Sequence, residues 1–270
     1  MATTERDGLS IYYEVIGTGP RLLVLNGSGA SIESSQLLIG FLARHFTVLV
    51  HDQRGLGRTG LQGTSEHPSM VDYALDAKAV LDAMGWEETA VFGLSFGGMV
   101  AQEFAVTWPD VVTRLALLST SSGGAGGSSY PLHEMASMPP DERARVALHN
   151  LDMRFTPEWL AEHPSDMALV SVMATQALTE KSDEVVRGQQ AQLYARSFHD
   201  TWNRLGAISS PTFVGAGRYD GLAPLANAET MSRAIRGAVL EVYEGGHIFM
   251  AQDRRAMPAV AAFLAGPNRG

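Results

Sequence analysis

The residues best suited to chemistry in this chain lie in Gly93-Leu94-Ser95-Phe96-Gly97. This G-x-S-x-G pentapeptide joins a β-rich run, Thr89 to Phe92, to the small and apolar residues Gly98 to Ala105. A strand that becomes a helix within so few residues passes through a strained backbone at its apex, and glycines two positions either side remove the Cβ atoms that would collide there. The apex is Ser95. Such a layout holds the hydroxyl out at the carboxyl edge of a sheet, above the amino end of a helix whose N–H groups can meet a developing negative charge. The competing reading is a Gly-rich turn whose serine only caps a helix.

A serine hydroxyl is a poor nucleophile at neutral pH and needs a neighbouring base, normally an imidazole oriented by a carboxylate. The chain has eight histidines. His247 stands apart because Gly245 and Gly246 precede it after the last strand, which puts it in a tight loop at the same sheet edge. His51 also follows a strand, but Asp52 and Arg54 beside it suggest a structural polar network. His45, His67, His133, His149, His163 and His199 read as surface or packing residues. For the carboxylate, the loop after Ser119 holds no Asp or Glu before Glu134. Asp220 lies just past the Pro211 to Gly215 strand and is the expected partner, against a turn-capping role. Glu244 and Asp253 are nearer His247 in sequence, but one falls at a strand end and the other in a helical segment.

Positioning these residues requires strands that end at one edge. Leu9 to Ile16, Arg21 to Leu25, Phe46 to Val50, Thr89 to Phe92, Arg114 to Ser119, Pro211 to Gly215 and Val239 to Tyr243 read as strands. Helical patterns between them predict a mainly parallel sheet with right-handed crossovers, whose chemistry sits beyond the carboxyl ends of the strands. Ser69 and Asp72 form a capping pair for a helix with Tyr73, Ala77, Val80 and Leu81 on one face, stopped at Gly85. The Ser121 to Ser129 stretch is flexible by composition. The helical patterns beyond it, around Asp141 to Leu151, Pro157 to Glu162, Asp166 to Leu178 and Glu184 to His199, read as an inserted cap. The expected division is a core of 1–122 and 205–270 with a cap of 123–204. Met135, Met138, Met153, Met167, Met173, Trp159, Tyr194 and Trp202 either line a pocket or form the cap's own core. A closing helix is expected from about Pro258 to Leu264.

Composition narrows the chemistry. A formal net charge of −9 over 270 residues argues against nucleic acid or an anionic membrane surface as a general partner, since phosphate binding needs clustered Lys and Arg. The absence of cysteine excludes disulfides, thiolate metal sites and a Cys nucleophile. Met1 to Leu9 is polar and charged rather than a secretory segment, and no apolar run approaches a membrane span. A cytoplasmic protein acting on a small molecule is expected, with no cofactor and no metal; whether it forms a homo-oligomer is left open.

The order Ser95, Asp220, His247 with G-x-S-x-G resembles the α/β-hydrolase fold over essentially the whole chain. That fold is a mainly parallel eight-stranded sheet flanked by helices, with a helical cap insertion. At finer grain the chain resembles the short-capped esterase and lactonase branch that contains 3-oxoadipate enol-lactonases. The residues carrying this are DQRGLGRT (Asp52 to Thr59), GLSFGGMVAQEFA (Gly93 to Ala105), WNRLGAISSPT (Trp202 to Thr212), GRYDGLAP (Gly217 to Pro224) and Gly245-Gly246-His247. The resemblance implies a serine hydrolase of carboxylic esters or lactones. Its oxyanion hole would be the backbone N–H groups of Ser28 and Phe96, and Asn26, Gly27, Trp159, Leu222 and Ile248 would contact substrate. Asn26-Gly27 stands where the family usually has His-Gly; the Asn amide is expected to replace some of that histidine's hydrogen bonds. Carbon–carbon bond hydrolases, cofactor-free perhydrolases or haloperoxidases, and a ligand receptor with a residual hydrolase site would share these residues. The cap arginines Arg143, Arg145, Arg154, Arg187 and Arg196 read as solvated helix faces, with a carboxylate acceptor as the alternative.

Overall fold

A computed structural model of the chain describes residues 2–62, 65 and 67–266. Its strands are β1 (Ala2–Arg6), β2 (Leu9–Ile16), β3 (Arg21–Leu25), β4 (Thr47–His51), β5 (Thr89–Leu94), β6 (Val112–Leu118), β7 (Thr212–Gly217) and β8 (Val239–Tyr243). They form one sheet in the order β1-β2-β4-β3-β5-β6-β7-β8. β1 with β2 and β2 with β4 are antiparallel, and every pairing from β4 to β8 is parallel.

The continuous apolar strands are buried on both faces. Leu23 and Leu25 belong to one buried cluster with residues of α2 (Met70–Ala83), α3 (Phe96–Thr107) and α8 (Leu225–Ala234), and Leu22 and Val24 to a second with residues of α1 (Gln36–Leu42) and α10 (Ala256–Ala265). Each such side chain removed from water contributes about 1.5–3 kcal/mol before the entropy of ordering it is set against the gain. The capping box at α2 forms as expected: Asp72 N–H donates to the Ser69 hydroxyl and Ser69 N–H to the Asp72 carboxylate.

Strand β1 was not expected from the polar run at the start of the chain. Its signal is Asp7-Gly8, both with positive φ (51° and 82°), the backbone that a two-residue hairpin requires and that this dipeptide adopts cheaply.

Between β6 and β7 the chain inserts the cap, with α4 (Pro140–Leu151), α5 (Pro157–Glu162), α6 (Pro164–Leu178) and α7 (Asp183–Ser197). Pro140 and Pro164 open their helices two residues earlier or less than the apolar pattern indicated, a position where proline's missing N–H costs nothing. The Ser121 to Ser129 stretch corrects the sequence reading. Ser121 and Ser122 are fully buried, and the Ser122 carbonyl accepts the Thr201 N–H at 2.8 Å. Its glycines serve close packing rather than looseness: a Cβ on Gly126 would run into Ser122 and the Trp202 ring. At the end of the chain, a one-turn α9 (Phe249–Gln252) precedes α10, which starts at Ala256 rather than Pro258. No helix among the described residues is long and apolar enough to cross a membrane.

Candidate active site

Ser95 sits at the junction of β5 and α3 with φ 54° and ψ −115°, a conformation that costs a non-glycine residue on the order of 1–3 kcal/mol. The surroundings impose it. Ser95 N–H donates to the Leu118 carbonyl at 2.8 Å, and the Ser95 carbonyl accepts from Gly98 N–H at 2.9 Å and from the Thr120 hydroxyl at 2.9 Å. The two glycines are required by contact: a Cβ on Gly93 would lie 2.6 Å from the Gly97 carbonyl oxygen, and one on Gly97 would collide with the Leu25 carbonyl.

The Ser95 hydroxyl lies 2.9 Å from His247 Nε2, and His247 Nδ1 lies 2.9 Å from Asp220 Oδ2 and 3.1 Å from Oδ1. A carboxylate only accepts, so Nδ1 carries the proton and Nε2 presents its lone pair to the hydroxyl. The two readings of Asp220 are both realised. Its Oδ1 takes the N–H groups of Leu222 and Ala223 at 2.8 and 2.7 Å, which fixes the carboxylate while Oδ2 faces the ring. Glu244 instead pairs with Arg218, and Asp253 with Arg255, whose guanidinium holds the Asp253 carboxyl well below the usual range.

His51 is buried at the end of β4, and burial pushes its imidazole down to about 4. Its Nδ1 has no hydrogen-bond partner among the described residues, and the polar network expected of Asp52 and Arg54 does not form: Arg54 is bidentate to Asp76 at 2.7 and 2.7 Å. Asp52 instead accepts Ile32 N–H and Arg58 N–H at 2.7 and 2.9 Å, closing its own loop.

The segment Asn26 to Gly29 passes beside Ser95, since a Cβ on Gly27 would be 3.8 Å from Ser95 Cβ. Phe96 N–H is in the first turn of α3, where a helix leaves its N–H groups without intrahelical partners. The Asn26 amide departs from expectation. Its Nδ2 is buried and has no hydrogen-bond partner among the described residues. The loop is held through its backbone instead: Gln53 Nε2 donates to the Asn26 carbonyl at 2.8 Å and Gly29 N–H donates to Gln192 Oε1 at 2.8 Å. Gln192 Nε2 then donates to Gln53 Oε1 at 2.9 Å, with both side chains buried. A cap residue is thereby tied to the loop that carries Ser28.

The other two loops also lean on the cap. His247 N–H donates to the Leu151 carbonyl at 2.6 Å, and Met153 N–H to the Tyr219 carbonyl at 2.9 Å. Gln252 bridges Gly246 N–H to the carboxylates of Asp152 and Asp166. Sequence reasoning missed Gln53, Gln192, Leu151 and Gln252. Gln53 lies within DQRGLGRT, but nothing along the chain links it to a residue 139 positions away.

Of the expected substrate contacts, Asn26, Gly27, Leu222 and Ile248 adjoin the loops just described. Trp159 lies in the cap, where its ring stacks on His163 at 3.6 Å, Arg154 lies 4.7 Å over it, and its N–H donates to Asp166 at 2.9 Å. Met153 and Met167 are exposed, and Met135 is buried.

Comparison with known proteins accords with this geometry. Poly(3-hydroxyalkanoate) depolymerase of Ectopseudomonas oleovorans is 29% identical over 97% of this chain and 91% of that protein. A solved hydrolase from Pseudomonas aeruginosa PA01 is 26% identical with a TM-score of 0.76, covering 98% of each chain. The enol-lactonase of Burkholderia xenovorans LB400 shares the fold at 19% identity, with a TM-score of 0.76 over 98% of this chain and 100% of that one. A family profile described as serine aminopeptidase, S33, matches residues 20–248, from just before β3 through His247, and the chain belongs to that family of α/β-hydrolases.

Proposed function

We propose that this α/β-hydrolase cleaves carboxylic esters or lactones through an acyl-enzyme on Ser95. The observation that carries the reading is the continuous relay from the Ser95 hydroxyl through His247 to Asp220, with both contacts at 2.9 Å. The Ser95 oxygen attacks the carbonyl carbon while His247 Nε2 takes the hydroxyl proton. Asp220 keeps the ring in the tautomer that can do so and stabilises the imidazolium that results. The carbonyl electrons move onto oxygen, where Ser28 and Phe96 N–H groups are the proposed donors, each worth about 3 kcal/mol in the transition state. Collapse of the tetrahedral species expels the alcohol, which takes the proton from His247. Water, deprotonated by the same imidazole, then releases the acid and regenerates Ser95.

The E. oleovorans relative supports an ester substrate by its name, which denotes cleavage of a polyester. The family description names a peptidase, so amides belong in the test. A panel of p-nitrophenyl esters, lactones, enol-lactones, aminoacyl anilides and vinylogous diketones should show highest kcat/KM on esters or lactones. Ser95→Ala should remain folded and lose about 10⁴-fold or more in turnover. Turnover unchanged by that substitution, or confined to diketones, would overturn the assignment.

A further inference from the structure

Arg196, near the end of α7, is nine-tenths buried. Its Nη2 donates to the Ser129 hydroxyl at 2.5 Å and to the Tyr130 carbonyl at 3.3 Å. The guanidinium's remaining donors, Nε–H and the Nη1 pair, have no partner among the described residues. Arg54, which is buried, and Arg154, which is partly so, are each matched with an acid: Arg54 with Asp76 and Arg154 with Asp152. Arg196 has no carboxylate within ion-pair distance among the described residues, and burial alone lowers its pKa to about 10. A buried cation without a counter-charge is costly, because the water it gives up is not replaced by an opposing charge.

Arg196 lines a pocket of about 100 Å³ together with Met99, Ser121, Tyr130, His133 and His199. Two more polar atoms on that wall are buried without partners, Ser121 Oγ and His199 Nδ1. His199 Nε2 faces the Ser121 carbonyl at 3.2 Å, so Nε2 carries the proton and Nδ1 is an acceptor. Neither Ser121 Oγ nor His199 Nδ1 has open surface, so the free donors of Arg196 are what the pocket presents to a ligand. At about 100 Å³ it is several times the space that one water needs, enough for a carboxylate on a short chain.

We infer that this pocket is a binding site for a small carboxylate, held by the free donors of Arg196. It adjoins the nucleophile's helix. Met99 is one turn beyond Ser95, and Ser121 follows Thr120, whose hydroxyl binds the Ser95 carbonyl. Binding at the pocket stands independently of the proposed hydrolysis; the origin of the carboxylate rests on it, because ester cleavage releases an acid and a half-ester of a diacid carries one in.

Calorimetric titration of the whole protein at fixed ionic strength tests the site, with acetate, 3-hydroxybutyrate and the neutral acetamide as probes. Both carboxylates should bind and acetamide should not. Arg196→Met should weaken carboxylate binding about tenfold or more, as loss of a charge-assisted fork does. Arg196→Lys, which keeps the charge and loses the fork, should weaken it about threefold and decides the matter if the methionine variant does not fold. Kinetics with p-nitrophenyl hemisuccinate against p-nitrophenyl butyrate then separate the sources. A preference for the acid that Arg196→Met abolishes marks a substrate tail, and an unaltered preference alongside intact acid binding marks a released acid. Carboxylates binding no better than acetamide, or equally well in both Arg196 variants, would overturn the site and leave Arg196 as a clamp on Ser129 and Tyr130.

Discussion

Helix α3 and helix α7 meet over the same site and are held there by different means. In α3 every residue from Phe96 to Ala105 is buried, its approach to β5 depends on glycine at 93, and its approach to β3 on glycine at 97. In α7 only Gly188, Ala191, Gln192, Ala195 and Arg196 are buried, and Val186 and Tyr194 are open to solvent. Ser95 is thus fixed by backbone contact that one added atom disrupts, while α7 is held to the core by side-chain hydrogen bonds worth about 1 kcal/mol each. Reacting groups belong where placement is over-determined, and specificity where it is adjustable.

The largest expected effect is on the relay itself. Asp220→Asn keeps an oxygen for the Leu222 and Ala223 N–H groups but can offer His247 an amide donor, favouring the wrong tautomer. Turnover of p-nitrophenyl esters should fall by about 10⁴-fold with the thermal midpoint little changed. A loss below tenfold would remove the carboxylate from the orienting role and make the rim no better determined than the cap.

Next come the glycines, where the comparison is one of stability. Gly97→Ala sets a methyl against the Leu25 and Asn26 carbonyls and should destabilise by about 3 kcal/mol, at the upper end for overpacking. Gly206→Ala, with open space where its Cβ would stand, should stay within about 0.5 kcal/mol. Denaturant titration measures both; equal effects would mean that β3 and α3 can separate without cost.

The same contrast governs what the sequence disclosed. Strands β2 to β8 and the relay residues were legible because they follow local rules: apolar runs of strand length, a glycine-flanked serine, and a histidine and an aspartate just past strand ends. The Asp7-Gly8 turn that makes β1 is equally local and was overlooked. The Gln53–Gln192 bridge, the Leu151 carbonyl under His247 and the Ser121–Ser129 packing are long-range contacts of ordinary polar residues. No periodicity announces them, so a glycine-rich segment that packs tightly reads the same as one that does not. Arg196 shows the limit well: on a helix whose polar residues suggested a solvated face, it is buried.

Gln192 tests whether the cap sets the chemistry beneath it. Gln192→Leu leaves Gly29 N–H and Gln53 Oε1 without their partner and frees the loop carrying Ser28. The expected result is a loss of about tenfold in kcat with KM nearly constant, the pattern of a weakened transition-state contact. Gln190→Ala, on the exposed face of the same helix, should leave both unchanged. A change confined to KM would place Gln192 in substrate binding instead.

The smallest effect is one of pH, and it asks whether core and cap unfold together. His51 at the end of β4 and His199 beside Ser121 are both buried, and burial lowers each from 6.5 to about 4. Above pH 6.5 each ring is neutral in folded and unfolded chains alike, and neither makes stability depend on pH. As pH falls from 6.5 toward 4, the unfolded chain takes up protons that the folded rings refuse, so stability declines by at most about 1.4 kcal/mol per pH unit for each ring. Replacing either with Gln should flatten that slope. If the two regions open separately, His51→Gln flattens it for global unfolding, while His199→Gln flattens it for amide exchange in α7 alone. Identical changes in both variants would show a single cooperative unit, in which the few hydrogen bonds of the cap suffice to bind it to the sheet's unfolding.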